Sequence, residues 1–121
     1  MKNGKVGTSE LRKEGYSKLT GTAKYIDDIQ PADCLHGTTV RSHVPRGIIK
    51  DIKFEGDIPW DEFVVVTAKD IPGENHVLLI NSDQPYLADT RVNHREEAIV
   101  LLAHPDKHLL EAARKHVQVE I

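Results

Sequence analysis

The chain has 121 residues, enough for one domain with one core, and its 39% hydrophobic and 29% charged residues are ordinary for a globular protein. A formal charge of −3 gives no electrostatic pull toward nucleic acid or an anionic membrane. Cys34 is the only cysteine, which excludes an internal disulfide and a multi-cysteine zinc or iron–sulfur site and predicts a small half-buried thiol.

Residues 1–15 are polar and without periodicity, and read as an amino-terminal arm that orders only when something docks on it. The basic start Met1-Lys2-Asn3-Gly4-Lys5 is not followed by the apolar stretch of a signal peptide, and no apolar run approaches the roughly 20 residues of a membrane span, so a cytoplasmic location is expected. Leu19 to Ile29 reads as a loop or short extended segment closed by Gln30-Pro31. Leu35 to Arg41, rich in Thr and Val, predicts a strand. After the turn Val44-Pro45-Arg46-Gly47 comes Ile48 to Phe54, a half-buried strand with Ile48, Ile52 and Phe54 on one face. A short turn between two strands predicts a hairpin.

Phe63-Val64-Val65-Val66-Thr67 has the β-branched pattern of a strand buried on both faces. Ala68 to Gly73 is a turn or a single helical turn stopped by Pro72. His76 to Ile80 is a weaker strand, and Asn81 to Thr90 a loop. The apolar run Ala98 to Ala103 leads into the one main helix, expected over residues 105–116. Pro105 and Asp106 suit its first turn, Arg114 and Lys115 its last, and Leu109, Ala112, Ala113 and His116 share a face. Val117-Gln118-Val119-Glu120-Ile121 alternates as a final strand. A strand running to the last residue is the expectation for a piece of a longer polypeptide, which would expose apolar residues where it meets the remainder. The strand Val117–Ile121 and the segment Leu78-Leu79-Ile80 are the candidates for that surface.

No constellation of catalytic residues emerges. There is no phosphate-binding glycine loop and no nucleophile elbow. Cys34 and His36, two apart on an extended chain, stand roughly 7 Å apart at the backbone, outside the reach a nucleophile and its base need. His104 and His108 have the i,i+4 spacing that holds zinc on a helix, but no H-E-x-x-H accompanies them, and solvated histidines are the plainer reading. Asp27-Asp28 and Glu96-Glu97 read as turn and surface charge. Arg41, Arg46, Arg91 and Arg95 would make an anion site only if the fold gathered them.

Several stretches, in order, resemble one family. Lys18-Leu19-Thr20-Gly21-Thr22-Ala23-Lys24-Tyr25-Ile26-Asp27-Asp28 is similar to the K-V-T-G-x-A-x-Y-x-D-D opening of molybdenum hydroxylase large subunits, the xanthine dehydrogenase and aldehyde oxidase family. Leu35-His36-Gly37, Val40-Arg41-Ser42 and Arg46-Gly47-Ile48 resemble its L-H-G…L-R-S-x-x-x-x-A-R-I segment, with one residue fewer. Val64 to Gly73 follows V-x-x-V-x-T-A-x-D-I-P-G almost residue for residue. Pro85 to Val92, and Glu111 to Val119, are similar more loosely. Asn93-His94-Arg95-Glu96-Glu97-Ala98 departs from the family, which has G-E-P-V-A here.

The resemblance runs from about residue 12 to the end and implies an α+β fold, the a/b hammerhead, over residues 16–121. It implies a structural amino-terminal domain of a subunit that hydroxylates purines, other N-heterocycles or aldehydes. Molybdenum would be held by molybdopterin elsewhere in that subunit, with [2Fe–2S] clusters and FAD in partner domains or subunits. The family's pterin ligands and glutamate base belong to longer segments that follow this one, so no catalytic, cofactor-binding or metal residue is assigned to this chain. The expected partners are the remainder of the subunit, the iron–sulfur and FAD components, and a second copy through an exposed strand edge. The alternatives are a free-standing binding or adaptor module with the same fold, and a small metalloenzyme built on His104 and His108.

Overall fold

The computed structural model describes residues 6–78 and 80–121. They fall into two compact units, one ending at Ala32 and one running from Asp33 to Ile121. In the first, Gly15–Leu19 form a short helix, α1, and Ile26–Asp28 a single 3₁₀ turn. No periodicity in the sequence points to this helix. The Asp28 carboxylate accepts from the Tyr25 N–H at 2.9 Å, and the Thr20 hydroxyl donates to the Tyr16 carbonyl at 2.9 Å. None of its described residues is buried, and Val6, Leu11, Leu19 and Ile26 are almost fully exposed.

The second unit is organised by four antiparallel strand pairings. Strands β1 (His36–Arg41), β2 (Gly47–Ile48), β3 (Asp51–Phe54), β4 (Val64–Val66), β5 (Arg91–Val92), β6 (Ala98–His104) and β7 (Val117–Glu120) alternate with 3₁₀ turns and one longer helix, α2 (Lys107–Arg114). Strand β6 lies between β1 and β4; β2 pairs with β5, and β3 with β7. The expected hairpin between β1 and the following strand is absent, because β1 hydrogen-bonds to β6, far along the chain. Nor does the strand expected from Ile48 to Phe54 run unbroken. The Ile49 N–H reaches the Thr90 carbonyl at 3.0 Å and the Lys50 N–H the Glu120 carbonyl at 2.8 Å, so the chain changes partner between β2 and β3. That change shifts the phase of the alternation before β3: Ile49 packs on the core in place of Ile48, which is exposed, while Ile52 keeps its expected inward side and Phe54, partly exposed, meets the Trp60 ring edge to face.

Strand β4 also differs from expectation. It is an edge strand, and Val64 is exposed rather than buried on both faces. Residues 76–78 and 80 form no strand; Leu79 lies outside the described residues.

The core is the face of β6 that meets α2. Val100, Leu102, Leu110 and Ala113 are fully or almost fully buried there, joined by Val40, Phe63, Val92 and Val117. Ile99 and Val100 are both 0% exposed, which regular alternation on a half-solvated strand would forbid. A bulge explains it: Val40 faces Val100 but Arg41 faces Ala98, leaving Ile99 as the extra residue.

The helix is shorter than the expected 105–116. Asp106 is its N-cap, accepting from the N–H groups of His108 at 2.7 Å and Leu109 at 3.1 Å. His104 is therefore the last residue of β6, and Pro105 lies in the link between strand and cap. His116 lies past the helix end, where its carbonyl accepts from the Glu55 N–H at 3.1 Å.

The final strand buries its own apolar side. Val117 is in the core, and Val119 and Ile121 pack against it, so this strand is not the exposed apolar surface expected from sequence. Leu78 and Ile80, the other candidates, are exposed as expected.

Local geometry at two positions sets measurable expectations. Gly56 holds φ +80°, and a Cβ there would stand 2.5 Å from the His116 ring. Gly56→Ala should destabilise the fold by about 1–2 kcal/mol in urea denaturation, the cost of a left-handed L-residue. Asp106 is held below the usual carboxylate range by the backbone N–H groups of Leu109 and His108. A lowered native value stabilises the fold above the unfolded pKa, and that contribution is lost as pH falls through the native one. Asp106→Ala should lower the melting temperature at pH 7, and the gap from wild type should close on acidification.

Candidate functional site

Three places bring polar side chains together, and each is built by an element boundary. The first is the junction of β6 and α2. His104 is buried there, its ring stacked on Phe63 with centroids 4.5 Å apart, and Phe63 continues into Trp60 and Phe54. The His104 Nδ1 accepts from the Asp106 N–H at 2.9 Å, and its Nε2 stands 3.9 Å from the exposed Glu62 carboxylate. His108, by contrast, is exposed on the first turn of α2. The i,i+4 helical spacing of the two histidines is thus not realised, since one is on a strand and the other on a helix. Among the described residues, no group of three or more His, Cys, Asp or Glu is placed to hold a metal ion.

The second is the loop from Asn93 to Glu97 that precedes β6. Glu97 reads from sequence as surface charge, yet it is only 5% exposed. One carboxylate oxygen accepts from the Asn93 N–H at 2.5 Å, and the other stands 3.9 Å from His94 Nε2, whose ring bonds the Arg95 carbonyl through Nδ1 at 2.8 Å. Its backbone is equally engaged: the Ser42 N–H donates to the Glu97 carbonyl, and the Glu96 N–H to the Ser42 carbonyl, each at 2.9 Å. Arg41 donates to the Glu96 carbonyl at 2.9 Å. The loop is therefore a latch that ties the end of β1 to the start of β6. An open groove of about 570 Å³ beside it is lined by Asp83, Gln84, Arg91, His94 and Glu97.

The third is the turn after β4. The Asp70 carboxylate accepts from both the N–H and the hydroxyl of Thr67 at 2.7 Å, and these bonds, the backbone one first, hold it below the usual carboxylate range.

The remaining candidates disperse. Cys34 is exposed rather than half-buried, because it precedes β1 in a turn where Asp33 holds φ +63°. Arg41 and Arg91 line different grooves, and Arg46 and Arg95 are exposed. Asp27 and Asp28 lie in the 3₁₀ turn of the first unit, as turn residues should. Sequence reasoning missed one organising side chain. Asn75 accepts from the Tyr86 and Leu87 N–H groups at 3.1 Å and donates to the Leu87 carbonyl at 2.7 Å, fixing the long loop without a strand. Its only sequence signal is an Asn beside the Pro72-Gly73 turn.

Known proteins share this arrangement. Residues 20–121 match the family model described as aldehyde oxidase and xanthine dehydrogenase, a/b hammerhead domain. The chain is an a/b hammerhead domain of that family. It is 36% identical over 118 residues to a probable xanthine dehydrogenase subunit of Bacillus subtilis (strain 168), covering 93% of this chain and 15% of that one. It is 28% identical over 116 residues to the nicotinate dehydrogenase large molybdopterin subunit of Eubacterium barkeri, covering 95% of this chain and 27% of that subunit. Among solved structures, reconstituted CO dehydrogenase from Oligotropha carboxidovorans superposes with a TM-score of 0.80 at 25% identity, over 94% of this chain and 15% of its own. The hammerhead therefore spans a small part of each relative's length.

Within the latch, Glu96 is the residue with φ +67°. Glutamate holds here a left-handed conformation that glycine adopts freely. The latch bonds described above compensate for it. Glu96→Gly should stabilise the chain by about 1 kcal/mol in chemical denaturation.

Proposed function

We propose that this hammerhead is an architectural domain of the molybdenum-binding subunit of a xanthine dehydrogenase or aldehyde oxidase type hydroxylase, acting in the cytoplasm. The observation that carries the reading is the family match over residues 20–121, and among the described residues no group of three or more His, Cys, Asp or Glu accompanies it. In the full enzyme, molybdopterin-bound molybdenum would hydroxylate purines, other N-heterocycles or aldehydes. Electrons would leave through [2Fe–2S] clusters and FAD in partner domains or subunits.

The residues present do not fit the pterin cofactor. Among the described residues every buried side-chain nitrogen or oxygen already has a hydrogen-bond partner, so no buried donors wait for a ligand. The polar groove beside the latch is open and lined mostly by exposed loop residues. No reaction step is assigned to this chain. Its part is to present rigid surfaces: a sheet fixed by the Glu97 latch, and a helix fixed by the Asp106 cap. Residues 16–121 would form the hammerhead domain proper, with the amino-terminal arm as an appendage.

Two measurements test this. Purified chain mixed with molybdopterin should retain none after gel filtration; stoichiometric retention would overturn the reading. Replacing the matched stretch of the Bacillus subtilis subunit by residues 1–121 should give a soluble, assembled chimeric subunit. A chimera that aggregates where the unaltered subunit does not would count against the assignment.

A further inference from the structure

Strand β6 is apolar on both faces but covered on only one. Val100 and Leu102 point to α2 and are sealed beneath Leu110 and Ala113. Alternation turns Leu101 and Ala103 the other way, and register sets Thr39 and Val66 beside Leu101, and Gly37 and Val64 beside Ala103. This outer face is left bare. Leu101 is 39% exposed on this central strand, whose composition is that of one buried on both sides, and beside it Val64 of the edge strand β4 is 49% and Tyr86 of the adjoining loop 55% exposed. The face is hollow, with a groove of about 410 Å³ in which Arg41 is the only charged lining residue among those described.

We infer that this outer face of the β1–β6–β4 sheet is the seat on which the remaining polypeptide of the molybdenum-binding subunit packs, an inference that rests on the functional reading above. Two observations select that occupant. The matched region is 15% of the Bacillus subtilis subunit and 15% of the CO dehydrogenase chain, so most of each relative's polypeptide lies beyond it. A two-fold contact centred on this patch would set groove against groove and leave the hollow unfilled. A ridge of apolar side chains from a different segment fills it. The partner chemistry is thus an apolar segment, with a carboxylate or carbonyl placed to meet Arg41 at the rim.

Two variants test the face. Leu101→Lys places a charge at its centre; Tyr86→Asp places one at its edge, on a loop where no sheet hydrogen bond is disturbed. In the isolated chain, Tyr86→Asp should melt with wild type and leave a monomer unchanged. In the chimera with the Bacillus subtilis subunit, both variants should cut the yield of soluble assembled subunit by about tenfold or more, because a buried unpaired charge is costly. Glu111→Lys, on the exposed side of α2, should leave that yield unchanged. The inference falls if Tyr86→Asp assembles as well as wild type. It also falls if the isolated wild-type chain is a dimer that Tyr86→Asp dissociates, since the occupant would then be a second copy. A wild-type chimera that fails to assemble overturns the functional reading itself, and this inference with it.

Discussion

Strand β6 is the constraint on which the second unit depends. It is hydrogen-bonded along both edges, to β1 and β4, and it carries the core on its inner face. Both pairings are long-range, so ordering them costs loop-closure entropy that only burial of Val100, Leu102 and their neighbours offsets. The bulge at Ile99 is part of the same solution. By adding one residue against Val40 and Arg41, it buries Ile99 and Val100 together and turns the strand end toward the Ser42–Glu97 latch.

The two ends of β6 are fixed by different chemistry. At its start, backbone bonds to Ser42 and the buried Glu97 carboxylate close the loop, and they hold Glu96 in a conformation glutamate disfavours. At its end, His104 leaves the strand by stacking on Phe63 and accepting from the Asp106 N–H, while Asp106 caps the helix. A strand thus becomes a helix within a few residues. His104, which the sequence offered as a possible metal ligand, and Glu97, which it offered as surface charge, are both occupied in making these two corners.

Polar side chains of the second unit serve turns, caps and loop closures, as Asn75 does toward Tyr86 and Leu87. What remains available to a partner is surface: the bare outer face of the sheet, and the exposed side chains of the amino-terminal unit.

Local signals in the sequence are enough to locate most elements. Thr and Val enrichment marks β1, the apolar run marks β6, helical spacing with Asp106 marks α2, and alternation marks β7; the ordered motifs point to the family and its fold. Each depends on neighbours along the chain, which a sequence displays. Pairing does not. The short turn at Val44–Gly47 suggests a hairpin, yet β1 pairs with β6, and the strand after the turn splits between β5 and β7, so that Ile49 rather than Ile48 packs inward. Burial of Glu97, exposure of Val64 and the bare face of β6 likewise follow from which strand lies beside which. Those choices are set by the packing of residues far apart in the chain, such as Val40 beside Val100 and Ile52 beside Val119, and only the tertiary structure makes them.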